Sequence, residues 1–124
     1  MGISFNQVTG VHADALQLRA ERTRVLAANL ANENTPGFQA RDMDFGAALA
    51  DLQAQASGEP GGELGFGSEA ANMYRVPFHP TRDGNTVELG VEQAAFSQNA
   101  ADFQTSLTFV NMKLRGLAKA IAGQ

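Results

Sequence analysis

Cysteine is missing from the chain altogether, which removes thiol catalysis, disulfide staples and thiolate metal sites together and leaves the redox compartment open. Basic charge is also scarce. Nine Lys and Arg stand against 13 Asp and Glu, a formal net charge of -4, so there is no broad cationic surface for nucleic acid or an anionic membrane. No apolar run is long enough to span a bilayer, and a direct membrane span is not expected. The opening residues, Met1 to Val8, carry neither a basic n-region nor an apolar h-region, so a cleaved secretory signal is not expected either. Catalytic motifs are equally thin: no HExxH spacing and no Gly-x-Ser-x-Gly elbow occurs. Gly65-Phe-Gly67 has neither the preceding strand nor the following helix of a dinucleotide loop. No cofactor is expected.

What remains is 124 residues, one domain's worth, with 13 glycines and a mean hydropathy of -0.20. That combination predicts a thin core that leans on neighbours for part of its stability. From about Asn6 to Asn32 the pattern is helical, and one seam runs through Val8, Val11, Ala15, Leu18, Arg22, Val25, Asn29 and Asn32. A second seam of Ala13, Leu16, Ala20, Thr23, Ala27 and Leu30 lies most of the way round the same helix. It is either a surface for close helix approach or a solvent face filled with helix formers. At the other end Phe96, Ala100, Phe103, Leu107, Val110, Leu114, Leu117 and Ile121 alternate steps of four and three. A helix from roughly Val91 to Ala122 would be about 48 Å long at ~1.5 Å per residue. Glu88 and Glu92 near its start, and Lys113, Arg115 and Lys119 near its end, suit the helix dipole, and Gly123 stops it.

Between the long helices, Phe45, Leu49, Leu52 and Ala56 fall on one face of a short helix with Asp44 as its N-cap. Ser57 to Gly67 reads as a flexible linker. Met73 to Phe78 reads as extended, and Asp83-Gly-Asn85 as a turn before a strand-like Thr86 to Leu89, so two short strands at most are expected. The chain thus divides into an N-terminal helix (1–35), a loop-rich middle (36–90) and a C-terminal helix (91–124). The predicted fold is mainly α: two long terminal helices paired as an antiparallel coiled-coil hairpin, with a short third helix and a small extended, β-hairpin-like middle region. A hairpin buries one stripe per helix, so the second seam calls for another subunit, through heterologous contacts that form rings or helical assemblies.

The candidate residues follow from this plan. Val11, Leu18, Val25, Asn29, Asn32, Phe96, Phe103, Leu107, Val110, Leu114, Leu117 and Ile121 form the assembly seams. Asn29 and Asn32 either set helix register, as seam amides do, or belong to a frayed helix end preparing the Pro36 break. Asp42 and Asp44 alternate as a carboxylate pair for acid-base or divalent-cation chemistry would, yet they also flank a helix start where Asp caps backbone N–H groups. His12 and His79 with Asp83 are the other metal-ligand candidates, without supporting spacing. Arg41 and Arg75 read as interface residues that bridge to acidic neighbours through weak exposed pairs. Phe38 and Phe45 read as anchors for the strand-like tail.

Ala28-Asn-Leu-Ala-Asn32 followed by Thr35-Pro36-Gly37-Phe38 resembles the N-terminal signature of bacterial flagellar axial proteins. The continuation Gln39-Ala-Arg41-Asp42-Met-Asp44-Phe45, with Tyr74-Arg-Val-Pro77 and Asp83-Gly-Asn-Thr-Val87, is similar to the proximal rod members of that family. The resemblance touches both helices and the connecting region but not Ser57 to Gly67. It implies a structural, non-enzymatic subunit of the basal-body rod, the periplasmic drive shaft needed for motility. It also implies export by the flagellar type III apparatus without a cleaved signal, and terminal helices lining a tube. Its implied partners are copies of itself and other rod proteins, the membrane-ring protein, the ring-rod adaptor and the export gate. The alternatives are another axial component, such as a different rod or hook protein, or a metal-dependent cell-wall hydrolase using Asp42, Asp44, His79 or Asp83.

Overall fold

A computed structural model describes residues 5–56, 72–79 and 81–123. In chain order they form α1 (Phe5–Ala31), β1 (Arg41–Met43), α2 (Phe45–Ala56), β2 (Asn72–Tyr74) and α3 (Leu89–Ala122). The Gly-rich linker expected at 57–67 lies outside the described residues. The helix bounds agree with the sequence periodicity to within two residues, and both expected punctuation marks are present. Asp44 Oδ1 accepts the Ala47 N–H at 3.2 Å, capping α2. Gly123 ends α3 in the left-handed region at φ 72°, its N–H bonded to the Lys119 carbonyl.

The long helices lie side by side and antiparallel. His12 stacks on Phe109, with ring centroids 5.2 Å apart. Arg19 pairs with Asp102 at 3.2 Å. Asn99 Nδ2 donates to Thr23 Oγ1 at 2.8 Å, and Asn29 Nδ2 donates to Glu92 Oε2 at 3.0 Å. Partners on α3 therefore recede toward its start as α1 advances. α3 has 34 residues against 27 in α1, and the two are level at the Asn29–Glu92 contact, so the excess length falls at the C-terminal end of α3. Ile121, expected in the seam, is accordingly 81% exposed.

Burial varies along the expected seam. Phe96, Phe103, Leu107, Val110, Leu114 and Leu117 are half-buried and Ala100 is exposed. The fully buried positions of α3 are Glu92 and Asn99. On α1, Leu18 and Asn29 are buried and Val25 is half-buried, while Val11 is 53% exposed. Of the second seam, Ala13, Ala20 and Ala27 are exposed and Leu16, Thr23 and Leu30 half-buried. Leu26, on neither seam, is fully buried. The physical reason is that α1 presents Arg19, Arg22, Leu26 and Asn29 on one stripe. Arg19 and Asn29 reach Asp102 and Glu92 on α3, and Arg22 reaches Asp42 on β1, so polar groups share the interior with the apolar positions of the seam.

A second apolar cluster fastens α2 to α1. Leu18, Met43 and Ala48 are buried together, with Phe45, Leu49 and Leu52 packed against them. Each large side chain fully removed from water contributes about 1.5–3 kcal/mol, so this small cluster suffices to seat a 12-residue helix. The strands also differ from expectation. β2 pairs with β1 in antiparallel register, Arg41 opposite Tyr74 and Met43 opposite Asn72, joining segments far apart in sequence. Thr86 to Glu88 is not a strand. The Thr86 N–H donates to the Phe38 carbonyl at 2.9 Å, and Thr86 Oγ1 accepts the Ala40 N–H at 2.7 Å. These stitches hold Thr86 beside residues 38–40 without a ladder.

Replacing the fully buried Leu26 by Ala is expected to lower stability by about 2–5 kcal/mol. Ile121→Ala in the overhanging turn should stay within about 0.5 kcal/mol of the parent. Urea unfolding followed by circular dichroism checks both; equal losses would contradict the assignment of core and overhang.

Candidate functional site: the junction at the end of the first helix

Helix α1 ends at Ala31, ahead of Pro36, which cannot continue a helix, and the carbonyls of the turn between them are collected by one residue from far along the chain. Asn85 is buried, and its Nδ2 donates to the carbonyls of Asn32, Glu33 and Thr35 at 2.9, 2.8 and 2.8 Å. Asn85 is itself held by its own turn: Oδ1 accepts the Val87 N–H at 2.8 Å, and Asp83 Oδ1 accepts the Asn85 N–H at 3.1 Å. The Asp83 carbonyl accepts the Gly37 N–H at 2.9 Å. Gly37 and Gly84 both have positive φ, 75° and 78°, a backbone state that glycine enters without steric cost. The Thr-Pro-Gly-Phe and Asp-Gly-Asn-Thr stretches therefore form one structure, a helix stop and its clasp.

Just inside this cap lies a buried polar network. Asn29 is 1% exposed and bonds the backbone of β1 both ways: Nδ2 donates to the Arg41 carbonyl at 2.6 Å, and Oδ1 accepts the Arg41 N–H at 3.1 Å. Its Nδ2 also reaches Glu92, as above. Arg22 forks onto Asp42, Nε to Oδ1 at 2.9 Å and Nη2 to Oδ2 at 3.1 Å. Arg75 Nη2 donates to Asp42 Oδ2 at 2.7 Å, while its Nη1 lies 3.2 Å from Glu92 Oε1, an ion-pair distance without hydrogen-bond alignment. α1, β1, the segment after β2, and α3 thus meet through alternating charges and one amide. Beside it, Arg19 sits 3.6 Å over the Phe45 ring.

The candidate residues part company here. Asn29 is an interior helix residue that sets the position of both β1 and α3. Asn32 serves the helix end, its Nδ2 donating to the Ala28 carbonyl at 2.7 Å and its Oδ1 accepting from Thr35 Oγ1 at 3.1 Å. Asp42 and Asp44 do not act as a pair: Asp44 is the α2 cap, and Asp42 is taken up by two guanidinium groups. Arg75 is not an exposed weak bridge but 16% exposed between two carboxylates. Arg41 is exposed and stacked, 4.9 Å from the Tyr74 ring centroid, with Nη2 donating to the Tyr74 hydroxyl at 3.0 Å. Phe38 is half-buried; Thr35, Pro36 and Gly37 are exposed on the turn. His12 is committed to Phe109 and His79 is exposed. Among the described residues no three His, Asp or Glu side chains converge on a common point.

Sequence patterns give Glu92 only a helix-dipole role and Asn85 only a turn role, and they pass over Asn99, because a polar residue inside an apolar repeat looks like surface. Burial weighs against the charged form of Asp42, but the Arg22 hydrogen bonds, the Met43 N–H and the charges of Arg22 and Arg75 outweigh it and hold the carboxyl below its ordinary value. The stabilisation from this ionised carboxylate is therefore full above its unfolded pKa of about 3.9 and is lost as pH falls through the lowered folded value. Asp42→Asn should cost stability at neutral pH, where it leaves two buried arginines short of a partner. The gap to the parent should hold from pH 7 to about 5 and narrow below about 4. Urea midpoints across that range are the check, and a gap that widens in acid would contradict the pairing.

Comparison with known proteins follows the same stretch of chain. A family model described as flagella basal body rod protein matches residues 10–39, from α1 through its cap to the edge of β1. The flagellar basal body rod protein FlgB of Aeromonas hydrophila is 41% identical over 131 residues, covering 100% of this chain and 99% of its own. That of Cereibacter sphaeroides is 43% identical over 125 residues, covering 97% and 98%. That of Salmonella typhimurium is 37% identical over 123 residues, covering 89% of each. Matched nearly end to end at this identity, the chain belongs to the flagellar basal body rod proteins of the FlgB type.

Proposed function

We propose that the chain is a structural subunit of the proximal rod, built into a helical assembly between the membrane ring and the distal rod. The observation that carries this reading is the end-to-end match to FlgB relatives on a chain whose terminal helices run side by side and whose family motif closes their joint. The terminal helices pack as an antiparallel coiled coil in the wall of the rod, around the channel through which later subunits pass. The segment from Pro36 to Phe45 meets a neighbouring subunit. The contacting proteins are further copies of the chain, other rod proteins, the ring-rod adaptor, the membrane-ring protein and the export gate.

Delivery is by the flagellar type III apparatus into the periplasmic space. Two features support it. No disulfide resists unfolding. The buried apolar set is small, Leu18, Leu26, Ala40, Met43 and Ala48 among the described residues, which keeps the barrier to threading low. Final stability is then acquired on docking.

Leu107→Asp places a charge in the half-buried flank of the helix pair. It is expected to abolish rod incorporation and swimming while synthesis continues; soft-agar motility and immunoblots of isolated basal bodies check it, and normal swimming would sink the reading. Removal of 57–67 should be tolerated far better than Asn29→Ala or Pro36→Ala in the same assays.

A further inference from the structure

The face of α1 turned away from α3 carries an open groove. Val25, Ala28 and Phe38 lie along it, Tyr74 stands at one side, and Arg24 and Arg41 supply its charge; its volume is about 690 Å3. Three observations mark it as a docking surface. Arg24 is 82% exposed, and its acidic neighbour is Glu21 at 3.5 Å, one turn away on the same helix, a pairing of little strength. Arg41 is held in place by the Tyr74 ring and hydroxyl, yet among the described residues no carboxylate pairs with it. Val76, two residues beyond Tyr74 and so on the same side of the extended chain, is 84% exposed. A chain of net charge -4 thus concentrates two guanidinium groups around an apolar floor, Arg24 only weakly paired on its own helix and Arg41 without a carboxylate partner among the described residues.

We propose that this groove receives helix α2 of a second copy of the chain. Charge complementarity selects that occupant. With one face of α2 packed on α1 through Ala48, Leu49 and Leu52, the opposite face exposes Ala47, Ala50 and Asp51, with Asp44 at its start. Its side chains are short enough to let the helix backbone approach the groove. Asp51 has no basic partner among the described residues, and the acidic start of α2 also supplies the helix-capping carboxylate. Groove and α2 are different surfaces, so the contact is heterologous. Each copy gives its α2 to one neighbour and receives the α2 of another, which closes as a ring or continues as a helix. This contact rests on the rod reading above and gives it a lateral geometry.

The absence of cysteine makes the test clean. Chains bearing Arg24→Cys and chains bearing Asp51→Cys are co-expressed in cells lacking the native protein, and isolated basal bodies are oxidised. A disulfide-linked dimer is expected only when both variants are present. A link formed by either variant alone, a link to a different protein, or no link from the mixture overturns the contact. Charge reversal supplies the second arm: Arg24→Glu and Asp51→Arg should each lower the yield of complete rods at least about five-fold, since like charges across an interface are strongly disfavoured. The double variant should recover to within about two-fold of the parent, because the pair is then restored in reversed sense. Failure of the double variant to recover overturns the proposal even though the parent chain is present in basal bodies. Absence of the unsubstituted chain from basal bodies would instead sink the rod reading, and this contact with it.

Discussion

The fold depends on a buried exchange of charge and amide: Arg22 and Arg75 on Asp42, Arg75 beside Glu92, and Asn29 between Glu92 and the β1 backbone. Burying ions is costly, and an apolar set of the same volume would often be as stable or more so. What the polar set adds is uniqueness. A leucine slides against another leucine with small loss, whereas Asn29 satisfies both groups of Arg41 in one position alone. Removing one member strands the others, at a cost of about 3–5 kcal/mol for a broken buried pair. The network therefore converts a thin core into a single arrangement of four segments.

Much of this plan was legible in the sequence. The three helices, the Asp44 cap, the Gly123 stop and the joint at Pro36-Gly37 follow from local rules: periodicity, capping oxygens, fixed φ and the left-handed region. Local rules end where partners are distant. Nothing around Thr86 says that it will bond to residues 38–40 and not form a strand, and nothing around Met73 says that its strand partner is Asp42. The site was legible as a motif but not as a mechanism. Asn29, Asn32, Arg41, Asp42 and Asp44 all lie in the joint, yet what Asn29 and Asp42 do there depends on Arg22, Arg75 and Glu92, and the turn around Asn32 is held by Asn85.

The same limit separates the apolar seam of α3 from its most deeply buried positions. Apolar spacing finds the residues that leave water, and those of α3 from Phe96 to Leu117 do so in part. It cannot find Glu92 and Asn99, which are buried because α1 brings them a side-chain amide, a hydroxyl and a backbone carbonyl. A helix pair with such a centre resembles a keyed joint flanked by apolar packing, and its exposed flanks remain available to other chains. Family membership accounts for that provision: a rod subunit is incomplete until its neighbours arrive.

The clasp made by Asn85 bears on the order of events as well as on their end point. It joins residues about fifty positions apart, and closing so long a loop is an entropic cost incurred before any distant contact repays it. With Asn85 on the carbonyls of the turn that follows α1, the start of α3 stands level with the end of α1, and each further contact along the helices closes only a small increment of chain. The contacts then continue outward from the joint, through Asn99 and Arg19 to His12 and Phe109. The far ends of the helices are the least firmly held and the first to open, so resistance to opening is concentrated at the joint and falls away toward both termini.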